Sequence, residues 1–326
     1  MVINFLSNTT PMPKFFSALA IVVMLLTGCG CPQHYEPSDN PPPLPNCPVI
    51  DHPIRLALVL GGGGSRGLAH VGALEVFAEN NIPIDLVVGC SAGSIVGALY
   101  SDCPDTAHLK EVLLSLKTDY VMDFDIWNAR YGLCQGRTLR KFLTANLNAQ
   151  TFDQLKVPFY LVTTDLYSGE LVTIGGGPIV PAVEASSTFP VMFVPVWLHG
   201  RVFVDGGCID PVPVRTAKHF NPEVVVAVDL RGLLSKEFPT NLFGVIARSA
   251  DIAFLWQSET CVNDADVIVR PVIDDDIGTF AGDEYHETIY QAGRTAALKV
   301  LPQIKACLAA KAQQKQAGNV FSGTVE

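Results

Sequence analysis

Two clusters of small residues hold the chemistry that this chain can perform. The first, Gly61-Gly62-Gly63-Gly64-Ser65-Arg66-Gly67, follows an apolar run that ends at Leu60 and precedes a helical pattern that starts at Leu68. Glycines let successive backbone N–H groups converge on one point with no side chain in the way, and the start of the next helix adds its positive dipole end. Such a loop holds an anion, either a phosphate or the oxyanion of an acyl-transfer transition state. Gly62-x-Gly64-x-x-Gly67 also satisfies a dinucleotide fingerprint, and a plain strand-to-helix turn would satisfy it as well. The second cluster, Gly89-Cys90-Ser91-Ala92-Gly93, again sits between an apolar strand and a helix. That setting suits a nucleophile elbow, in which a serine occupies a sharp, strained turn that lifts its hydroxyl clear. The flanking Gly89 and Gly93 keep side chains away from neighbouring backbone.

Roughly 27 residues separate the clusters, which is one strand–loop–helix–strand unit. Both loops then fall at the same edge of an α/β sheet, where such sheets bind ligands. A dinucleotide site asks for an acidic residue at the end of the second strand. Gly-Cys-Ser stands there instead, which favours acyl transfer over cofactor binding.

A nucleophilic serine needs a base. Histidine is the usual one, and the chain has seven, none in a convincing setting. His70 falls within the first helix, His199 at a hairpin turn with Gly200, and His219 and His286 at exposed helix positions. His108 lies on a solvated helix face, and His34 and His52 lie in a proline-rich segment. Asp205, in Val204-Asp205-Gly206-Gly207, ends an apolar strand near the sheet edge. A partly buried carboxylate there has a raised pKa and can act as general base. The plainer reading is a turn aspartate, since Asp-Gly is a favoured turn pair.

The elements that must position these groups alternate. Strands are expected at Ile54 to Leu60, Leu86 to Val88, Phe159 to Thr164, Leu171 to Ile174, Val202 to Val204 and Val224 to Val228. Helices are expected at Leu68 to Asn80, Gly93 to Tyr100, Thr106 to Leu116, Thr138 to Asn146 and Glu284 to Ala310. The pattern predicts an α/β fold with a mainly parallel central sheet and helices on both faces, over residues 54–311, followed by a polar tail, 312–326. Hydrophobic residues make up 48% of the 326, enough for a large core, and the net charge of −10 is spread along the chain. Without a basic stripe, a nucleic-acid partner is not expected, and neither is adsorption onto anionic lipid by surface charge. Tyr120 to Cys134, with Phe124, Ile126, Trp127 and Tyr131, can either cap an acyl site or pack as a core satellite.

Taken together, Gly62-Gly63-Gly64-Ser65-Arg66-Gly67, Gly89-Cys90-Ser91-Ala92-Gly93 and Asp205-Gly206-Gly207 resemble, in kind and order, the motifs of the patatin-like phospholipase family. Thr164-Asp165-Leu166 with Gly169-Glu170, and Ala185-Ser186 with Pro190, add to the likeness, which covers roughly Arg55 to Asp229 and, more weakly, the chain to about Leu301. The resemblance implies a three-layer patatin-like fold and a Ser91–Asp205 dyad without histidine. It also implies an oxyanion hole from the Gly62, Gly63 and Gly64 backbone, with Arg66, Gly67, Gly89, Gly93, Gly206 and Gly207 as supporting residues. It further implies hydrolysis of lipid acyl esters with no metal or cofactor. Asp210 departs from the pattern, because many relatives carry asparagine there. Two other classes remain open: a Ser-His-Asp esterase of the α/β-hydrolase fold, and a nucleotide-binding or structural lipoprotein.

The N-terminus suggests export. Phe15 to Leu26 is an apolar run behind Lys14, too short to span a bilayer, and it ends in Leu26-Thr27-Gly28-Cys29. This resembles a bacterial lipobox, so residues 1–28 are expected to be a signal peptide and Cys29 the lipidated residue that anchors the protein to a membrane. Translation from Met12 would put Met-Pro-Lys directly before the apolar run. Gly30 in place of aspartate favours the outer membrane. Residues 29–53, with Pro41-Pro42-Pro43, read as an extended tether. Of nine cysteines, the eight besides Cys29 can pair in an oxidising compartment, with no connectivity favoured.

Overall fold

The computed structural model describes residues 35–117, 122–125, 127, 129–232, 234, 238–274, 277 and 281–322, apart from the side chains of 243, 247 and 317–322. The expected signal peptide, Cys29, Tyr120 and Ile126 lie outside the described residues.

The first half runs β1 (Leu56–Leu60), α1 (Leu68–Glu79), β2 (Leu86–Cys90), α2 (Ala92–Asp102), α3 (Thr106–Leu114), β3 (Gly132–Cys134), α4 (Arg137–Asn146), β4 (Phe159–Asp165) and β5 (Leu171–Ile174). The second half runs α5 (Ile179–Ser186), β6 (Val191–Phe193), β7 (Val196–Leu198), β8 (Arg201–Asp205), α6 (Val214–Lys218), β9 (Val224–Val228), α7 (Leu242–Val262), β10 (Val267–Val269) and α8 (His286–Ser322). Strands β10, β9, β1, β2 and β4 pair in parallel in that order. Strands β5, β8 and β7 add antiparallel pairs, so the main sheet is mixed but chiefly parallel.

Alternation along the strands shows why both faces are covered. Leu56, Leu58 and Leu60 of β1, with Val224, Val226 and Val228 of β9, join one core with α1, α2 and α8. Ala57, Val59, Val225 and Ala227 join a second core with Val214 and Ala217 of α6 and Cys261 and Val262 of α7. Every residue of β1, β2, β4 and β9 is buried, as expected for strands covered on both faces. The result is the three-layer α/β architecture predicted from the sequence.

The register around β4 does the positioning. Leu161 faces Gly89 of β2 on one side and Ile174 of β5 on the other, while Thr163 faces Asp205 of β8 and Val172 of β5. A strand has two edges, so β2 and β8 share the edge of β4 that β5 leaves. They run toward each other along it. β2 ends with Cys90 opposite Val162, and β8 ends with Asp205 opposite Thr163, the next residue of β4. Two segments more than a hundred positions apart in sequence are thus brought end to end.

Several features were not foreseen. The strands β3, β6, β7 and β10 have three residues each, too few for a period to register. Helix α5 carries Pro181 in its first turn, where a missing N–H is tolerated. Helix α7 is apolar on its outer as well as its inner side, which erases the amphipathic period. Residues 35–53 form no helix or strand, but they lie along the domain and do not stand off from it: the Tyr35 hydroxyl donates to the Pro195 carbonyl, and that of Tyr160 to the Pro48 carbonyl. The seven described cysteines are all free, so none of the pairings open to an exported chain is formed among them. Phe124 and Trp127 are exposed, so they do not form the core satellite considered for their segment.

Candidate active site

Ser91 is where the two motifs meet. It sits between β2 and α2 with φ 51° and ψ −121°, a conformation that costs a non-glycine residue energy and that neighbouring structure must hold. Three serines do so. The Ser186 hydroxyl accepts the Ser91 N–H at 3.1 Å and donates to the Val162 carbonyl at 2.7 Å, the Ser94 hydroxyl lies 2.7 Å from that of Ser186, and the Ser187 hydroxyl donates to the Ser91 carbonyl at 3.1 Å. Gly93 is required by close approach, since a Cβ there would lie 2.0 Å from the Leu60 carbonyl oxygen. Gly89 packs against Gly93 and Ser94 in the same way.

The Ser91 hydroxyl donates to Asp205 Oδ2 at 2.6 Å. The other carboxylate oxygen, Oδ1, accepts the Gly207 N–H at 2.7 Å and faces the Cys90 thiol, which donates at 3.9 Å. Thr164 fixes the aspartate's main chain, its hydroxyl donating to the Asp205 carbonyl at 3.0 Å. Gly206 faces the Val162 carbonyl so closely that a Cβ would lie 2.4 Å away. Asp205 is 2% exposed. Burial pushes its pKa up to about 6, against the downward pull of the hydrogen bonds from Ser91, Gly207 and Cys90. Burial and the adjacent Asp205 carboxylate hold the Cys90 thiol in its neutral, donating form.

The glycine loop lies beside the dyad, with Gly62 against the Ser91 Cβ and Gly67 against Ala92. Its donors are not equivalent. The Gly62 N–H is taken by the Pro211 carbonyl at 2.9 Å, whereas those of Gly63 and Gly64 donate to no acceptor among the described residues. Arg66 points away from the dyad, its guanidinium donating to the Ile277 carbonyl at 3.0 and 3.3 Å and so tying the loop down from outside. His70 is fully buried behind the loop with Nε2 2.8 Å from the Gly61 carbonyl, and burial lowers its pKa to about 4, so it is neutral and serves as a strut. His199 occupies the β7–β8 turn, and His52, His108 and His219 are exposed.

Asp210 does not touch the dyad. It is buried, its N–H donates to the Gly206 carbonyl, and its Oδ1 has no partner among the described residues. Burial raises its pKa to about 6, with the Cys261 thiol as a stabilising donor. A raised carboxylate pKa means that stability is fully present below the unfolded value and falls as pH rises through about 6. Asp210→Asn should therefore raise the unfolding midpoint at pH 8, by on the order of 1–2 kcal/mol, and change it little at pH 4, as read by thermal denaturation at both values.

Two contributors were not assigned before the structure. Ser186 lies in the Ala185-Ser186 landmark, but its role as acceptor for the Ser91 N–H depends on a contact 95 residues away in sequence. Phe254 of α7 packs over both loops, its ring edge 3.6 Å from a Cβ built on Gly62 and 3.5 Å from one built on Gly207.

Comparison with known proteins finds relatives of both sequence and fold. A sequence model of the family described as patatin-like phospholipase matches residues 58–218. An uncharacterized NTE family protein of Mycobacterium bovis is 31% identical over 180 residues, which is 55% of this chain and 49% of that protein. The human patatin-like phospholipase domain-containing protein 6 is 29% identical over 181 residues, 54% of this chain and 13% of its own. The chain thus matches about half the length of the mycobacterial relative. The crystal structure of VipD from Legionella pneumophila superposes with a TM-score of 0.51 at 14% identity, over 77% of this chain and 67% of that one, a likeness of fold. The region from β1 to α6, which holds the glycine loop, the Ser91 elbow and the Asp205 turn, belongs to the patatin-like phospholipase family.

Proposed function

We propose that this protein is a serine acyl hydrolase of lipid esters, with Ser91 as nucleophile and Asp205 as its base. The observation that carries this reading is the 2.6 Å hydrogen bond from a strained elbow serine to a buried carboxylate. Asp205 takes the Ser91 proton as Oγ attacks the ester carbonyl carbon. Charge develops on the carbonyl oxygen, where preorganised N–H donors act most strongly. Gly63 and Gly64 supply those donors, and Gly62, whose N–H is engaged by Pro211, holds the loop in place. The tetrahedral intermediate collapses, the alcohol leaves with the proton from Asp205, and an acyl-serine remains. Water then gives its proton to Asp205 and its hydroxide to the acyl carbon, and the serine regains its proton as the fatty acid departs.

A Ser-His-Asp arrangement is less favoured because Asp205 accepts the serine hydroxyl directly, in the place an imidazole would occupy. A nucleotide-binding or structural role leaves a strained serine against a buried carboxylate without purpose. The test is release of free fatty acid from dispersed phosphatidylcholine, lysophosphatidylcholine and a neutral glyceride. The wild type should act on at least one of them and Ser91→Ala on none. No release from any lipid ester would overturn the reading.

The lipobox-like sequence ending at Cys29 supports an exported, membrane-anchored protein, in the outer membrane by the residue at Gly30. Cys29→Ala should then leave unprocessed precursor or release soluble protein, read by membrane fractionation and intact mass. Wild-type processing and membrane recovery in that variant would count against the anchor.

A further inference from the structure

Helix α7 has its inner side bolted to the site. Ser258, Cys261 and Val262 are buried, Gln257 Nε2 donates to the Cys208 carbonyl at 2.8 Å, and Glu259 pairs with Arg231 and Arg270. Its Phe254 rests over the glycine loop and the Asp205 turn. The outer side is of the wrong polarity for water. Leu242, Val245, Ile246, Ile252 and Trp256 are exposed, with Leu242 at 70% and Trp256 at 74%. At 100° per residue these five fall within a stripe about 120° wide. Ser249 and Ala253 complete it, and the charged residues Arg248, Asp251 and Glu259 lie on its flank or the opposite side. A solvent-facing helix normally carries its charges where this stripe stands. Phe238, just before the helix, is 87% exposed.

The geometry points to this outer face of α7 as an interfacial docking surface that seats the protein on a neutral or zwitterionic lipid surface beside the mouth of the site. The inference rests on the lipid-ester reading of the Ser91 site. Two observations choose lipid as the occupant. Phe254 of the same helix rests over the loops that would hold the scissile ester, so a surface that covers the stripe lies one helix away from Ser91. The stripe also contains no basic residue on a chain of net charge −10, which fits a surface without anionic headgroups. Apolar helix faces with an exposed tryptophan partition to the headgroup–acyl boundary.

The full-length Ser91→Ala protein, mixed with phosphatidylcholine vesicles whose acyl chains are brominated, tests this. Bromine quenches only tryptophans that enter the acyl region, and the chain has three, at 127, 197 and 256. Quenching is expected, and Trp256→Phe should remove most of it, at least threefold. Val245→Asp with Ile246→Asp should reduce it to a similar degree with the unfolding midpoint unchanged. Absence of quenching, or quenching that persists in Trp256→Phe, would overturn the proposal. So would a dimer at micromolar concentration that Ile246→Asp splits into monomers, with no quenching in either. Lipid hydrolysis by the wild type without quenching would remove the docking surface alone, whereas quenching without lipid hydrolysis would remove the proposed activity and leave the surface standing.

Discussion

Ser91→Ala is expected to lower ester hydrolysis by about 10⁴-fold or more, since the covalent route is lost and only binding and oxyanion stabilisation remain. The fold should survive. The elbow is held by Ser186, Ser187 and Ser94 through the Ser91 backbone, and those contacts do not involve its hydroxyl. What the substitution does remove is the donor to Asp205 Oδ2, leaving a buried carboxylate one hydrogen bond short. That should cost about 1–2 kcal/mol at pH 8 and less at pH 5, where the carboxyl holds its proton more often. The check is turnover of a short-chain ester beside thermal unfolding of the same preparation. Near wild-type turnover in a clean sample would contradict the assignment.

Asp205→Asn should lose about 10² to 10⁴-fold in rate, because an amide cannot take the serine proton. In the wild type the rate should climb with pH and level off above about 6, the value to which burial raises this carboxylate. The same shift sets a stability difference of opposite sign. The buried carboxylate is penalised as pH rises through about 6, so Asp205→Asn should unfold at the same or higher temperature than the wild type at pH 8. An amide oxygen can still accept the Gly207 N–H. Loss of activity with gain of stability would separate a base from a mere structural brace. His70→Gln should cost far less rate, and its loss should follow its stability, because His70 braces the Gly61 carbonyl and reaches no reacting atom. A well-folded single histidine variant as inactive as Asp205→Asn would move the base to that histidine.

Much of this site is legible in the sequence because its motifs obey local rules. A glycine-rich loop and a G-x-S-x-G elbow each need only a strand before and a helix after, and β1–α1 and β2–α2 supply these within a few residues of the expected bounds. Asp205 is legible as an acid ending a strand before two glycines. Its meeting with Ser91 is implied by the family resemblance but not by the local pattern, since it depends on β2 and β8 abutting along one edge of β4, a fact of register. The commitment of the Gly62 N–H to Pro211 is hidden for the same reason. Helix α7 escapes notice because helical reading relies on a polar face, and its outer face is apolar. The order of residues 35–53 comes from packing of tyrosine and proline against the domain, which composition alone reads as a free tether.

The most direct test of Ser91 as an activated nucleophile is covalent labelling with a serine-reactive fluorophosphonate, followed by peptide mass analysis. Such a reagent forms a stable adduct only where a serine hydroxyl is deprotonated as it attacks and an oxyanion-like oxygen is stabilised beside it. A single adduct on the peptide containing Ser91 is predicted, with labelling slowed in Asp205→Asn and absent in Ser91→Ala. Equal labelling of wild type and Ser91→Ala, or an adduct confined to another residue, would contradict the account.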